Sequence, residues 1–80
     1  MTITLTAFVI SQNPNIIPTG YIVFAMGSKT LGVVNLNNDA MAILEISENI
    51  IDLSVPVLAY YSGDKNFRSG VSKPRINYSY

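Results

Sequence analysis

The sequence predicts an all-β chain: an antiparallel β-sandwich of six or seven short strands, in one domain spanning residues 1–80. Three observations carry this. Apolar and polar residues alternate with period two through most of the chain. Clusters of Gly, Pro, Asn and Asp recur every ~8–12 residues, the spacing of turns in a sandwich. Eighty residues, 49% of them hydrophobic, suffice for one core and no more.

The elements follow in order. In the segment Thr2 to Ile10, Ile3, Leu5, Ala7 and Val9 share one side and Thr2, Thr4 and Thr6 the other, as in a strand with one buried face. Phe8 and Ile10 interrupt its polar side. Ser11 to Gly20 holds two prolines, two asparagines and a glycine and reads as a loop. Tyr21 to Phe24 is a short strand with Ile22 and Phe24 inward. Thr30 to Leu36 is its return partner, and the two form a hairpin. Asn37 to Asp39 is a turn, because Asn and Asp side chains cap turns and tolerate left-handed backbone.

Ala40 to Ser47 is the ambiguous segment. Asp39 could cap a helix, and good helix formers follow it. The strand reading prevails because every neighbour is a strand and because Ile43, Ile46 and Ser47 lower helix preference. As a strand it turns Ala42, Leu44 and Ile46 inward, with Ile43 and Glu45 outward. Leu53 to Tyr61 is the next strand, with Val55, Val57, Ala59 and Tyr61 inward. Pro56 cannot donate to a ladder and marks a bulge or a frayed start. Phe67 begins the last segment, which ends on Ile76, Tyr78 and Tyr80 alternating with Asn77 and Ser79. The expected core is Ile3, Leu5, Ala7, Val9, Ile22, Phe24, Val34, Leu36, Ala42, Leu44, Ile46, Val55, Val57, Ala59, Tyr61 and Phe67.

Composition narrows function. Without histidine or cysteine there is no histidine-based triad, no thiol nucleophile and no zinc site of the usual kind. The five carboxylates, Asp39, Glu45, Glu48, Asp52 and Asp64, have no spacing that makes them converge on a ligand. They read as turn caps, with a weak calcium site at one end of the sandwich as the competing reading. The glycines are isolated at turns, so no phosphate loop is formed. Catalysis and cofactors are not expected. Zero formal net charge offers nothing to nucleic acid or an anionic membrane. The few basic residues gather toward the C-terminal third and read as a solvated face. No apolar run reaches the ~18 residues of a bilayer span, and the N-terminal stretch has no signal-peptide pattern.

Three stretches, Pro18 to Phe24 (PTGYIVF), Leu31 to Leu44 (LGVVNLNNDAMAIL) and Ala59 to Phe67 (AYYSGDKNF), resemble the immunoglobulin-like repeat domains of bacterial surface and secreted proteins. In that family the same slots read roughly Pro-Thr-Gly-x-Val-x-Phe, Leu-Gly-x-Val-x-Leu and Ala-x-Tyr-Ser-Gly-Asp-x-Asn-Tyr/Phe. The resemblance covers nearly the whole chain. It implies an immunoglobulin-like sandwich, an extracellular or cell-surface setting, and a non-catalytic structural or adhesion role. Its partners would be another copy of the chain or a neighbouring repeat. It also implies that Tyr61, Gly63 and Asp64 form a structural corner. Tyr61 would bury its ring and pair its hydroxyl, Gly63 would take positive φ, and Asp64 would accept from backbone N–H groups.

The chain departs from the family in one respect. Members usually open with a strand ahead of the one resembling Thr2 to Val9, whereas here Met1 sits directly on that segment. The first strand is then lost, or the chain is a fragment or variant. The edge of Thr2 to Ile10 is expected to be bare, and bare flat edges pair with another chain. Self-association is therefore expected through that edge, or by strand exchange of Arg75 to Tyr80. The interface candidates are Phe8, Ile10, Leu58, Tyr60, Tyr78 and Tyr80, and Val33 also points outward. The alternatives are a carbohydrate-binding module using the Tyr60 face, and a decoration domain of a phage virion.

Overall fold

The computed structural model describes residues 2–11, 13, 15–52 and 54–79, with 77–79 described by their backbone alone. Among the described residues are seven strands: β1 (Thr2–Phe8), β2 (Tyr21–Met26), β3 (Lys29–Asn35), β4 (Met41–Ser47), β5 (Val57–Tyr61), β6 (Gly70–Ser72) and β7 (Arg75–Ser79). A 3-10 turn, Glu48–Ile50, follows β4. One sheet has the order β4-β1-β7 and the other β3-β2-β5-β6, with every pairing antiparallel. The expected all-β antiparallel sandwich is the observed architecture.

The period-two pattern decides the ambiguous segment in favour of a strand. β4 pairs Ile46 with Ile3, Leu44 with Leu5 and Ala42 with Ala7, setting its apolar alternate residues beside those of β1. Ala42 and Ile46 are buried and Ile43 and Glu45 exposed, an alternation that a helix could not match to this face. The helix-start signal serves a turn instead. Asn37, rather than Asp39, provides the cap: its Oδ1 accepts from Asp39 N (2.9 Å) and Met41 N (3.1 Å). Ala40 completes the turn at φ 59°.

Phe24, Ile3 and Leu5 are the largest fully buried side chains, joined by Ala7, Ile22, Ala42, Ile46, Val57 and Ala59 in one cluster. Each large side chain contributes about 1.5–3 kcal/mol of burial. Val9, Val34, Leu36, Leu44 and Tyr61 pack against this core half-buried, and Val55 and Phe67 are also half-buried. Ala25 and Ala40 are buried as well, although the sequence pattern did not single them out.

Three boundaries differ from expectation. The first strand stops at Phe8, leaving Ile10 outside it. β5 begins only at Val57, because Pro56 cannot join a ladder and residues 52–55 close a turn through Val55 N to Asp52 O (3.0 Å). Of this expected strand, Leu53 lies outside the described residues. The last segment is two strands in two different sheets, and Phe67 sits in the loop before them.

The most consequential correction concerns β1. It is the middle strand of its sheet, with β4 on one side and β7 on the other. The expected bare edge is therefore covered by the C-terminal strand, in a register that sets Thr2 against Ser79 and Thr6 against Arg75. The open edges are those of β4, β7, β3 and β6. β3 carries a bulge between the pairs Phe24–Gly32 and Ala25–Thr30, which bends that edge. At Gly32, a Cβ would lie 2.9 Å from Leu44 Cδ2, so glycine is what lets the two sheets approach there.

Candidate functional site

The stretch Tyr61 to Phe67 folds into a closely bonded corner. The Tyr61 hydroxyl donates to the carbonyl oxygen of Thr19 at 2.6 Å. Asp64 Oδ2 accepts from Thr19 N (2.8 Å) and Thr19 Oγ1 (3.0 Å). Its Oδ1 accepts from Asn66 N (2.7 Å) and Phe67 N (2.8 Å), and Asp64 N donates to Phe67 O (3.0 Å). Ser62 Oγ accepts from Tyr21 N (3.0 Å). Gly63 adopts φ 77°, and a Cβ there would lie 2.8 Å from Ser69 N, so only glycine fits. Gly20, at φ 108°, has the same constraint: a Cβ would meet Ser62 Oγ.

The corner thus ties the Pro18–Thr19–Gly20 turn to the Tyr61–Asp64 turn. Tyr61, Gly63 and Asp64 were expected here from the sequence. Ser62 lies within the same Tyr-Ser-Gly-Asp stretch; Thr19 and Gly20 were not expected, because nothing local signals a partner more than 40 residues away. The Thr19 N–H is the largest influence on the Asp64 carboxyl; with the Asn66 N–H, the Thr19 hydroxyl and the Phe67 N–H it holds the group below its ordinary range against the opposing effect of burial, which ranks second. Burial, and secondarily the Asp64 charge, raise the Tyr61 hydroxyl above its ordinary value. Asp52 is similarly lowered by the Ser54 hydroxyl and backbone N–H. Asp52 is engaged by Ser54 of its own turn, and Asp64 by its own turn on Oδ1 and by Thr19 on Oδ2, which is the arrangement of a structural brace.

Beside this corner lies an open groove of about 370 Å³, lined by Ile10, Ser11, Asn13, Ile16, Asn66 and Phe67. Among the described residues no three acidic side chains gather at a spacing that could hold a metal ion.

The interface candidates fall in three places. Ile10, 76% exposed, is on the rim of the groove. Phe8, also exposed, ends the outer face of β1 beside Met41 of β4. Leu58 and Tyr60 belong to the outer face of the other sheet, where Leu58 is half-buried next to Ala25. Tyr80 lies outside the described residues, and only the backbone of Tyr78 is described.

The outer face holding Tyr60 has a feature that sequence reading reached only in part. Register aligns Val33 of β3, Val23 of β2, Tyr60 of β5 and Val71 of β6 in one row across all four strands. Val33 (59%), Tyr60 (42%) and Val71 (57%) are exposed. Tyr21, two positions from Val23 on the same face, is exposed too. Outward Val33 and Tyr60 were identified from alternation, but their alignment depends on a strand order that one chain's pattern does not state.

Comparison of the chain with protein families, with curated proteins and with solved structures found no match.

Proposed function

We propose that this chain is a non-catalytic structural or adhesion module, of the immunoglobulin-like kind found in bacterial surface and secreted proteins, and that it self-associates through an open strand edge. The surface setting rests on the sequence resemblance alone. The non-catalytic part is supported by Asp52 and Asp64, whose perturbed carboxyls are both occupied in bracing turns.

The observation that carries self-association is the edge of β4. The bond from Val9 N to Ala40 O (3.0 Å) fixes the ladder phase, since hydrogen-bonded and non-bonded pairs alternate in an antiparallel pair. Ala42, Leu44 and Ile46 then direct their backbone groups at β1, and Met41, Ile43 and Glu45 direct theirs away from it. The outward groups of Met41 are met by Asn37. Ile43 and Glu45 present theirs at the open edge, in a strand with no proline, lysine or bulge to guard it. Antiparallel pairing of two β4 strands across a two-fold axis joins two three-stranded sheets into one.

Sedimentation velocity over a concentration series tests this reading. The wild type is expected to shift toward a dimer as concentration rises, and Ile43→Lys, an exposed position, is expected to stay monomeric. A wild type that remains monomeric into the millimolar range overturns it.

A second reading, a glycan-binding surface, is favoured by Tyr21 and Tyr60 standing near each other on one face with Asn35 opposite Tyr21. A glycan array is its test, and Tyr60→Ala should abolish any signal.

A further inference from the structure

The buried cluster draws its described members from β1, β2, β4 and β5. Among the residues whose side chains are described, none after Ala59 is buried. Arg75 of β7 is exposed, and Ile76 remains 36% exposed although its register partner Leu5 is fully buried. The main-chain ladder from Thr2–Ser79 to Thr6–Arg75 therefore carries the described attachment of β7. On its other side β7 has no strand. The linker to it is short. Lys73 and Pro74 alone lead from Ser72, which ends β6 in one sheet, to Arg75, which starts β7 in the other. Three residue steps reach at most about 10–11 Å, and packed sheets lie about 10 Å apart, so the linker has no slack. Pro74 fixes its own φ and biases Lys73 toward extended backbone, which holds the connection straight.

We propose that β7 is exchanged between two copies of the chain, each donating Arg75–Ser79 to the β1 edge of the other across the hinge Lys73–Pro74. Register names the occupant of that edge: Arg75–Ser79 is the segment that pairs with Thr2–Thr6, and a second copy supplies the identical segment. Main-chain bonds give strand addition its affinity, so the ladder forms equally well with either copy's strand. The described core closes without β7. While the chain folds, the β1 edge is therefore open to whichever copy's strand reaches it. The hinge tips that choice, because a short, taut connection favours swapping over closure within one chain. The exchanged dimer keeps every β1–β7 pair of the monomer and closes on a two-fold axis. Its sheet order is still β4-β1-β7, with β7 supplied by the other copy.

The exchange does not use the β4 edge, so the two kinds of association stand or fall separately. The chain has no cysteine, and Thr6 and Arg75 are register partners. Facing Cα atoms of an antiparallel pair lie about 4.5–5.5 Å apart, within the span of a disulfide. Thr6→Cys and Arg75→Cys, made as separate variants, are mixed in urea, refolded together at high concentration and oxidised. Exchange is expected to give a covalent heterodimer of the two variants. Ile43→Cys refolded with Arg75→Cys is the control and is expected to give none. The double variant Thr6→Cys/Arg75→Cys, refolded dilute and oxidised, is expected to bridge within one chain, holding β7 at home and losing the exchanged dimer. A double variant that bridges itself while the mixed single variants give no heterodimer overturns the proposal. So does a double variant unable to bridge, because positions 6 and 75 are then not paired. So does association that persists undiminished in the bridged double variant and is removed by Ile43→Lys, which assigns it to the β4 edge.

Discussion

Individual residues brace the corner between residues 18–20 and 61–67, and their chemistry was largely readable in advance. Tyr61, Gly63 and Asp64 were named as a corner by the family resemblance, in roles that the local chemistry of Tyr, Gly and Asp at a turn allows. Their partner Thr19 was not named, since a hydrogen bond spanning 45 residues leaves no trace in local pattern. Gly63→Ala places a Cβ at φ 77° and 2.8 Å from Ser69 N. The left-handed backbone alone costs about 1–2 kcal/mol, so thermal unfolding should show a fall of at least ~4 °C in a domain of this size. Asp64 makes the corner pH-dependent. Its folded carboxyl sits below the ordinary value, so in the window between the two values the unfolded chain binds more protons. The contribution is complete above the unfolded value, near 3.9, and is lost as pH falls through the lower folded one. Urea unfolding measured from pH 7 down to pH 2 should therefore show a flatter acid limb in Asp64→Asn than in the wild type. Asp52, lowered for a similar reason by Ser54, retains part of the slope.

Elements were legible where period two was clean and illegible where chain ends or prolines intervened. β1, β2, β3 and β4 were found within a few residues of their bounds. In β4, burial of Ala42 and Ile46 against β1 outweighed helix propensity, as tertiary context commonly does. β5 lost its first half to Pro56, and the last segment divided because residues 73–74 carry the chain from one sheet to the other. The bulged edge of β3 makes its own prediction. Gly32→Ala drives a Cβ to within 2.9 Å of Leu44 Cδ2 and 3.0 Å of Cδ1, between the sheets. Overpacking of this kind costs about 1–3 kcal/mol, which should appear as a lower urea midpoint with an unchanged slope. Pairing Gly32→Ala with Leu44→Val should restore part of the loss, because the shorter side chain vacates the space.

For the whole molecule, strand order is what the sequence does not state. Alternation says that a segment has an inside face, and nothing about which strand lies beside it. The bare edge expected for the segment from Thr2 came from the family resemblance, and β7, some seventy residues away in sequence, covers it instead. The same ignorance hid the row from Val33 to Val71, whose members come from four strands. The edge proposal depends on this order, since β1 inside its sheet leaves β4 as an open edge, and the same order aligns the apolar row on β3-β2-β5-β6. The most direct test is residue-resolved amide hydrogen exchange across β1. In the observed order Ile3, Leu5 and Ala7 donate toward β4 while Thr4 and Thr6 donate toward β7, so both sets of amides should be protected alike. If Thr4 and Thr6 exchange at unprotected rates while Ile3, Leu5 and Ala7 remain slow, β1 is an edge strand and the strand order described here is contradicted.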